Sequence, residues 1–472
     1  MIKFRRYHTI LFILFDYLSA LIAWFTFFLY RKYFIEPEKF GYSIPFEVGQ
    51  RFYLGLMYVP LYWLLIYWIT GNYSDVWRKS RIKELSSGFT IILPGVLILF
   101  FTLLLDDEVA SYNDYYMTIA TLFLLHYGLT LFCRISLITY IKTLIRSKKI
   151  GFKTIMVGNN QTALDIYNEI KNERFPSGYM FAGYVTCDGK EGYLESAMTH
   201  LGIYKDLPGL IHQHNVEEVI IAIPSTNHNE IIQVTNILED VKVMQKIIPD
   251  TFDMVSGSVR LENIVGTALI EVKHEVMPQW QLVLKRTIDI LVAFVVLLLL
   301  SPLYLVVAIA VKQSSKGPVF FKQIRIGRYG KPFHIFKFRS MYVDAEQTGP
   351  ALSSKGDKRI TPVGLILRKY RLDEIPQFYN VLIGQMSLVG PRPERKFYID
   401  QIIRVAPHYK QLQRVRPGIT SWGMVKYGYA ENVAQMVERL KFDILYIENM
   451  SIAVDFRIMI YTIKTILQGR GK

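Results

Sequence analysis

The chain is nearly without cysteine. Cys133 lies inside an apolar run and Cys187 far from it, and these two in 472 residues give neither a disulfide framework nor a CxxC metal or redox pair. Acidic charge is short as well: 40 acidic residues stand against 55 basic ones, a formal net charge of +15. Such an excess draws polyanions, which for an apolar chain means anionic headgroups and phosphorylated ligands before nucleic acid. Charged residues make up only 20% against 51% hydrophobic ones, which excludes an ordinary soluble enzyme of this size. The reading is a membrane protein with soluble parts in a reducing, cytoplasm-facing setting and no nucleic-acid partner.

Four apolar runs fill the N-terminal third, at about residues 9–29, 52–70, 89–105 and 117–140. Each is near the roughly 20 residues that a spanning helix needs. Lys3, Arg5 and Arg6 precede the first; Arg78, Lys79, Arg81 and Lys83 separate the second from the third; Lys142, Arg146, Lys148 and Lys149 follow the fourth. The loop after the third run, "DDEVASYNDYY", has no basic residue. Short cytoplasmic loops collect Lys and Arg, so both ends of this four-helix transmembrane domain, residues 1–150, are expected to face the cytoplasm. The first run is too long for a signal peptide and lacks a small-residue cleavage site, so it reads as an anchor.

Residues 151–272 change to an α/β texture. "TIMVGNNQTALDIYNEI" reads as a buried strand, a tight turn at Gly158 and a helix, and "VEEVIIAIP" as a second strand with the helix "NEIIQVTNILEDV" behind it. Alternating strands and helices predict a parallel sheet. The turn keeps one of the three glycines of the GxGxxG fingerprint, so close backbone approach to a dinucleotide pyrophosphate is not assured. Tyr167 and Lys171 have the spacing of a short-chain dehydrogenase pair but sit on the helix after the first strand, where they read as helix surface.

The stretch "LVAFVVLLLLSPLYLVVAIAV" is long enough to span, yet carries Ser301-Pro302 at its centre. Lys285 and Arg286 precede it, and no acidic residue follows Lys312 until Asp344, across eight Lys and Arg residues. A spanning helix would export that basic block with no later apolar segment to return the chain. A proline removes an amide donor and clashes with the preceding turn, while the Ser301 hydroxyl can bond a freed backbone group. Residues 288–311 are therefore expected to form a re-entrant broken helix in the inner leaflet, with a kinked fifth span as the alternative.

Beyond it, "FHIFKFRSM" places Lys337 and Arg339 on the face opposite Phe336 and Phe338, an arrangement suited to a diphosphate. In "LRKYRLDEIPQFYNVLIGQMSLVGPRPE", Asp373 and Glu374 are adjacent, and Pro376 predicts a helix start beside them. "GPRP" locks Arg392 between prolines, and "RVRPGIT" bounds Arg416 similarly. Asp344 is a further carboxylate that either supports a metal or balances the basic run. The C-terminal helix presents an apolar face of Phe456, Met459, Ile460, Ile463 and Leu467, suited either to the inner leaflet or to packing on the domain.

"KRTIDI…SP", "KFRSM", "LDEIPQFYNVLIGQMSLVGPRPE" and "RPGITSWG" resemble the signature blocks of the bacterial polyprenyl-phosphate hexose-1-phosphate transferases, the monotopic phosphoglycosyl transferases. The catalytic match covers residues 273–472, chiefly from Lys285 on, and the four spans with a degenerate Rossmann-like domain resemble the large subgroup that initiates exopolysaccharide, capsule or O-antigen repeat units. One departure is Ser421, where many relatives carry Gly. The resemblance implies transfer of a sugar 1-phosphate, glucose or galactose being usual and an N-acetylated hexosamine the alternative, from a UDP-sugar to undecaprenyl phosphate with release of UMP. It implies Asp373 as nucleophile, forming a phosphosugar-aspartyl intermediate, and Glu374 as a Mg²⁺ ligand with Asp344 a further candidate. Lys337, Arg339, Arg392 and Arg416 are the phosphate-binding candidates. The expected setting is the bacterial inner membrane with catalytic domains facing the cytoplasm, and the expected assembly a homodimer. A membrane-tethered nucleotide-sugar dehydratase or epimerase working in residues 151–272, and a non-catalytic polysaccharide assembly scaffold, are the competing classes.

Overall fold

The structure, a computed structural model, describes residues 2–467 apart from 36, 38–48, 105–111, 174–176, 188, 190–191, 225–226, 240, 242, 249–268, 273–275, 346–348, 350–356 and 429. Its contacts divide into two units. The first holds Met1–Phe152 with Ile170–Tyr179 and Pro278–Trp280; the second holds Lys153–Glu169, Met180–Met277 and Gln281–Lys472.

In the first unit, α1 (Ile2–Tyr30), α2 (Gln50–Ile69), α3 (Arg81–Leu99) and α4 (Tyr112–Arg146) supply four candidate membrane spans. The fourth helix begins and ends beyond its apolar run and the third begins before its own, because hydropathy marks only the apolar stretch while polar flanks such as Arg81–Glu84 continue the helix. Of the acidic loop after the third span, residues up to 111 lie outside the described ones. Two glycines permit close helix contacts: a Cβ on Gly55 would stand 2.3 Å from the Trp24 indole nitrogen, and one on Gly95 2.6 Å from Trp63. Small residues serve the same end wherever helices pack in lipid.

The second unit contains a six-stranded sheet: β1 (Phe152–Val157), β2 (Tyr179–Thr186), β3 (His200–Ile203), β4 (Glu218–Ile221), β5 (Met244–Ile247) and β6 (Ile270–Val272). The order is β3-β2-β1-β4-β5-β6, parallel except for the β5–β6 pair. This is the Rossmann order. Ile155, Val157, Val219 and Ile221 are fully buried, the continuous apolar texture of strands covered on both faces. α5 (Gln161–Lys171), α6 (Leu207–His214) and α7 (His228–Leu238) are the helices between the strands.

The rest of this unit is built on a broken helix pair, α8 (Gln279–Leu299) and α9 (Ser301–Ser314), bent by 62° at the break. The Ser301 hydroxyl donates to the Leu298 carbonyl at 2.8 Å, filling part of the gap that Pro302 opens. Leu291, Phe294, Leu298, Leu299, Leu305, Val306 and Ile309 are exposed, while Val307 and Val311 pack with Phe338 and Leu367. β7 (Phe320–Ile326) and β8 (Pro332–Phe338) form an antiparallel ribbon. After it come α10 (Pro362–Lys369), α11 (Gln377–Leu382), β9 (Ser387–Val389), α12 (Lys396–Val405), β10 (Gly418–Thr420), α13 (Trp422–Lys426), α14 (Val433–Glu448) and α15 (Ile452–Leu467). In α15, Ile458 is buried and Met459 packs on the same core, whereas Phe456, Ile460 and Ile463 are exposed; the Leu467 side chain lies outside the described residues.

Among the described residues of the four helices of the first unit, the carboxylates and guanidinium that are buried are paired. The Arg134 guanidinium donates from Nε and Nη2 to the two oxygens of Asp16, both at 2.8 Å, and from Nη1 to Glu84 at 2.6 Å, and Lys79 reaches Glu84 at 2.9 Å. These links join α1, α3 and α4. Removing one member strands the others, which costs about 3–5 kcal/mol. Arg134→Met is therefore expected to lower the thermal unfolding midpoint of the detergent-solubilised protein by several degrees, and adding Asp16→Asn and Glu84→Gln to it should restore part of the loss.

Candidate active site

The acidic pair sits in a short 3₁₀ turn, Leu372–Glu374, between α10 and α11. Thr361 starts α10 by accepting the Gly364 amide at 3.0 Å, the usual N-cap service. The chain then leaves the helix through Arg371, held in the left-handed region at φ 56°. A non-glycine residue there costs on the order of 1 kcal/mol and persists when its surroundings fix it. Pro376 stands immediately before α11, as its spacing predicts, but α11 is only six residues long and the carboxylates precede it. Their electrostatics come mainly from side chains rather than from a helix end.

Asp373 and Glu374 are each 7% exposed, and their surroundings differ. Lys337 Nζ lies 2.7 Å from Glu374 Oε1, with Arg392 at 3.8 Å and Arg371 at 3.9 Å. Burial opposes ionisation of Glu374, but Lys337, Arg392 and Arg371 outweigh it and bring its pKa down to about 2. Asp373 makes no ion pair among the described residues. Burial, with the neighbouring Glu374 charge, pushes its pKa up to about 6 against the opposing pull of Lys337 and Arg368. Lys337, Arg368, Arg371 and Arg392 thus surround two carboxylates, leaving a positive surplus for a phosphate ligand.

The other anticipated residues are dispersed. β8 ends at Phe338, and Arg339, 5% exposed, donates through Nη2 to the carbonyls of Ser315 at 2.7 Å and Val311 at 3.3 Å. Its guanidinium is turned to the end of α9, where terminal carbonyls lack partners, which corrects the expectation that it faces a phosphate beside Lys337. Arg416 answers chiefly to burial and to Arg286 and Arg328, all of which lower its pKa; it is not among the charges felt by the acidic pair. Asp344 stands in an exposed turn. "GPRP" and "RPGIT" do meet, because β9 and β10 pair in parallel and neither glycine leaves room for a side chain: a Cβ on Gly390 would lie 2.4 Å from the Arg416 carbonyl oxygen, and one on Gly418 2.1 Å from the Gly390 nitrogen. Ser421, the departure from the family pattern, caps α13 by accepting the Met424 amide at 3.0 Å.

Several residues that matter were not singled out from the sequence. Arg368 and Arg371 lie five and two positions before Asp373, a spacing that was open to view. Asn380, fully buried, donates to the His334 carbonyl at 2.7 Å and to Gln385 at 2.8 Å and accepts the Phe336 amide at 3.1 Å, bracing the strand that carries Lys337 against α11. Glu394 takes Arg439 at 2.6 Å and Arg325 at 3.3 Å. On α8, Lys285 reaches the Val389 carbonyl at 2.9 Å and pairs with Asp455, Arg286 donates to the carbonyls of Val381 and Leu382, and Asp289 accepts from the Ser387 hydroxyl and the Leu388 amide.

The Rossmann-like turn is filled by its own chain. Asn160 donates to the Ala222 carbonyl at 2.8 Å and accepts the Ala163 amide, and Asn159 accepts the Leu194 amide at 2.9 Å. A Cβ on Gly158 would lie 2.5 Å from the Ala222 oxygen. One of the amides at the start of α5, that of Ala163, is thus already taken by its own turn. Tyr167 spends its hydroxyl on the Ala197 carbonyl at 3.3 Å.

An acidic pair of unequal character, ringed by cations and mounted on an apolar bent helix pair, defines a membrane-associated enzyme that handles phosphate esters. The family model described as bacterial sugar transferase matches residues 280–469, and one described as a CoA-binding domain matches residues 72–249. UDP-glucose:undecaprenyl-phosphate glucose-1-phosphate transferase of Klebsiella pneumoniae is 30% identical over 87% of this chain and 89% of its own length, and the protein of that name from Escherichia coli (strain K12) is 29% identical over 88% and 89%. UDP-N-acetylgalactosamine-undecaprenyl-phosphate N-acetylgalactosaminephosphotransferase of Aeromonas hydrophila is 46% identical over 40% of this chain and 44% of that protein. The chain belongs to the bacterial sugar transferase family, as a member of the polyprenyl-phosphate sugar phosphotransferases.

The brace at Asn380 yields a measurable consequence. Asn380→Ala leaves the Phe336 amide and the His334 carbonyl each short of a partner, a loss of about 2–4 kcal/mol in the unfolding free energy of the second unit. Turnover should fall even where the variant remains folded, because Lys337 loses its fixed position.

Proposed function

We propose that this protein transfers a hexose 1-phosphate from a UDP-hexose to undecaprenyl phosphate, releasing UMP, at the start of polysaccharide repeat-unit synthesis. The observation that carries the reading is the division between the two carboxylates. Glu374 is fixed as an anion by Lys337 and two arginines, whereas Asp373 has no ion pair and a pKa raised to about 6. A less stabilised carboxylate is the stronger nucleophile, and environments that push paired groups apart assign their roles.

In the first step an Asp373 oxygen attacks the sugar-proximal phosphorus. A P–O bond forms to the carboxylate, the bridging P–O bond breaks, and its electron pair leaves with UMP. In the second, a phosphate oxygen of the lipid attacks the same phosphorus, giving the lipid-linked diphosphate sugar and restoring Asp373. Lys337, Arg368, Arg371 and Arg392 stabilise the negative charge that gathers around that phosphorus. Two steps free the protein from holding the soluble donor and the lipid together.

Mg²⁺ belongs to this proposal. Asp373 and Glu374 offer hard oxygen donors without a third acidic, histidine or cysteine neighbour among the described residues, which suits an ion that keeps its waters and takes further ligands from substrate phosphates. Glu374 would hold it, and the ion would add charge neutralisation at the diphosphate.

The bent hairpin is proposed to be re-entrant, with the catalytic residues on the cytoplasmic side of the inner membrane. Support comes from the 62° bend, the exposed apolar residues of both its helices and the basic residues at both ends. The relatives' names span glucose, N-acetylgalactosamine and galactosyl transfer, which supports a UDP-hexose or its N-acetyl derivative as the proposed donor.

UMP release from a panel of UDP-sugars, with Mg²⁺ and undecaprenyl phosphate, identifies the donor. Exchange of labelled UMP into the UDP-sugar without lipid reads the first step alone. Asp373→Asn is expected to abolish both signals, by at least about 10³-fold, and Glu374→Gln to reduce both by roughly 10²-fold. Exchange that survives in Asp373→Asn would defeat the covalent reading and leave direct attack by the lipid phosphate.

A further inference from the structure

The acidic pair and the helix that follows it hang between the two limbs of the hairpin. On α8, Arg286 donates to the carbonyls of Val381 at 2.7 Å and Leu382 at 3.0 Å, at the far end of α11. On α9, three residues past the break, the Tyr304 hydroxyl donates to the carbonyl of Ile375 at 2.8 Å. Ile375 directly follows Glu374. The Tyr304 ring also stands edge-on to Phe338, centroids 5.3 Å apart at 61°, and Phe338 directly follows Lys337. A single side chain on α9 therefore touches the neighbour of each partner in the Lys337–Glu374 ion pair.

The opposite side of α9 is apolar and open. Leu305 is 65% exposed and Val306 62%, whereas Val307 and Val311 are buried against Phe338 and Leu367. α9 is thus a floor, with the chemistry above it and an oily surface below. A helix held in lipid by such a surface sets a depth, and the Tyr304 hydroxyl is the polar link from that depth to the turn bearing the acidic pair.

We propose that Tyr304 is a positioning residue that holds the acidic pair at a fixed height over the membrane floor, and so governs the lipid half of the reaction without governing the soluble half. This rests on the two-step transfer proposed above. UDP-sugar arrives from solution and follows the site wherever it sits. The lipid phosphate is confined to the headgroup plane, so a small displacement of Asp373 is felt in that step alone. An error of 1 Å in the placement of reacting groups costs up to about 10²-fold in rate.

Tyr304→Phe isolates the hydroxyl. The ring contact with Phe338 remains, and the Ile375 carbonyl still accepts the Phe378 amide at 3.1 Å, so no buried acceptor is orphaned. The experiment uses the full chain in nanodiscs, measuring UMP exchange without lipid and transfer to undecaprenyl phosphate with KM determined for each substrate. In Tyr304→Phe, exchange and the KM for UDP-sugar are expected to stay within about twofold of the parent, while kcat/KM for the lipid falls roughly tenfold or more. Tyr304→Leu, which also removes the edge of the ring, should deepen the lipid defect. Equal loss in both half-reactions would make Tyr304 a general stability residue and overturn the proposal, as would parental values in both. If the parent protein shows no exchange, the covalent reading fails instead, and the proposal is judged by the separation of the two KM values.

Discussion

Two adjacent carboxylates cannot both be charged in a buried turn unless something holds one of them down, and Lys337 does so at 2.7 Å from Glu374. At an effective dielectric of about 20, two like charges some 5 Å apart repel by roughly 3 kcal/mol. Neutralising one of them removes most of that penalty for the other. Asp373 can then ionise with a pKa near 6 instead of being driven into its protonated form. The reactivity proposed for Asp373 is in this sense a property of Lys337, and of whatever keeps β8 in place.

Several unrelated devices do that work. Asn380 bonds the β8 backbone on both sides of Ile335, α9 packs beneath Phe338, and Arg339 just beyond ties the strand's end to the last carbonyls of α9. On the other side of the pair, the absence of side chains at Gly390 and Gly418 lets β9 and β10 pair closely enough to bring Arg392 within 3.8 Å of Glu374. Glu394, two residues on, is clamped by Arg439 and Arg325, so the proline-flanked segment is held at its far end too. Each device is local, and together they fix the spacing of one lysine, one arginine and two carboxylates.

The broad architecture was legible because hydropathy and alternation are strong signals: four apolar runs, a parallel α/β middle section and an apolar stretch broken before its proline all correspond to elements of the fold. The acidic pair, Lys337 and Arg392 were legible for a different reason, since "KFRSM", "LDEIP" and "GPRP" are ordered blocks that resemble a known family. Arg339 was misplaced by a rule applied one residue too far. Strand alternation assigns its side chain only while the strand lasts, and β8 stops at Phe338. Asn380 and Tyr304 were invisible, because their importance lies in bonds to backbone carbonyls 46 and 71 residues away, and no periodicity records such a bond.

Buried charge alone would not have separated the site from the scaffold. The first unit encloses Asp16 and Glu84 as completely as the second encloses Asp373 and Glu374, yet Arg134 and Lys79 saturate both of the former. In the second unit, too, Glu218 has Lys246, Glu394 has its two arginines, Asp455 has Lys285, and Asp289 and Asp443 take backbone amides. Among the described buried carboxylates Asp373 stands apart, with no ion pair and no hydrogen bond from another residue. A fold that provides partners for the other described buried acids and withholds one from this position carries a standing cost there. In the two-step transfer proposed above, a phosphorus centre that takes up the unshared electron pair would relieve that cost, so the same omission that weakens the resting protein would favour the proposed covalent step.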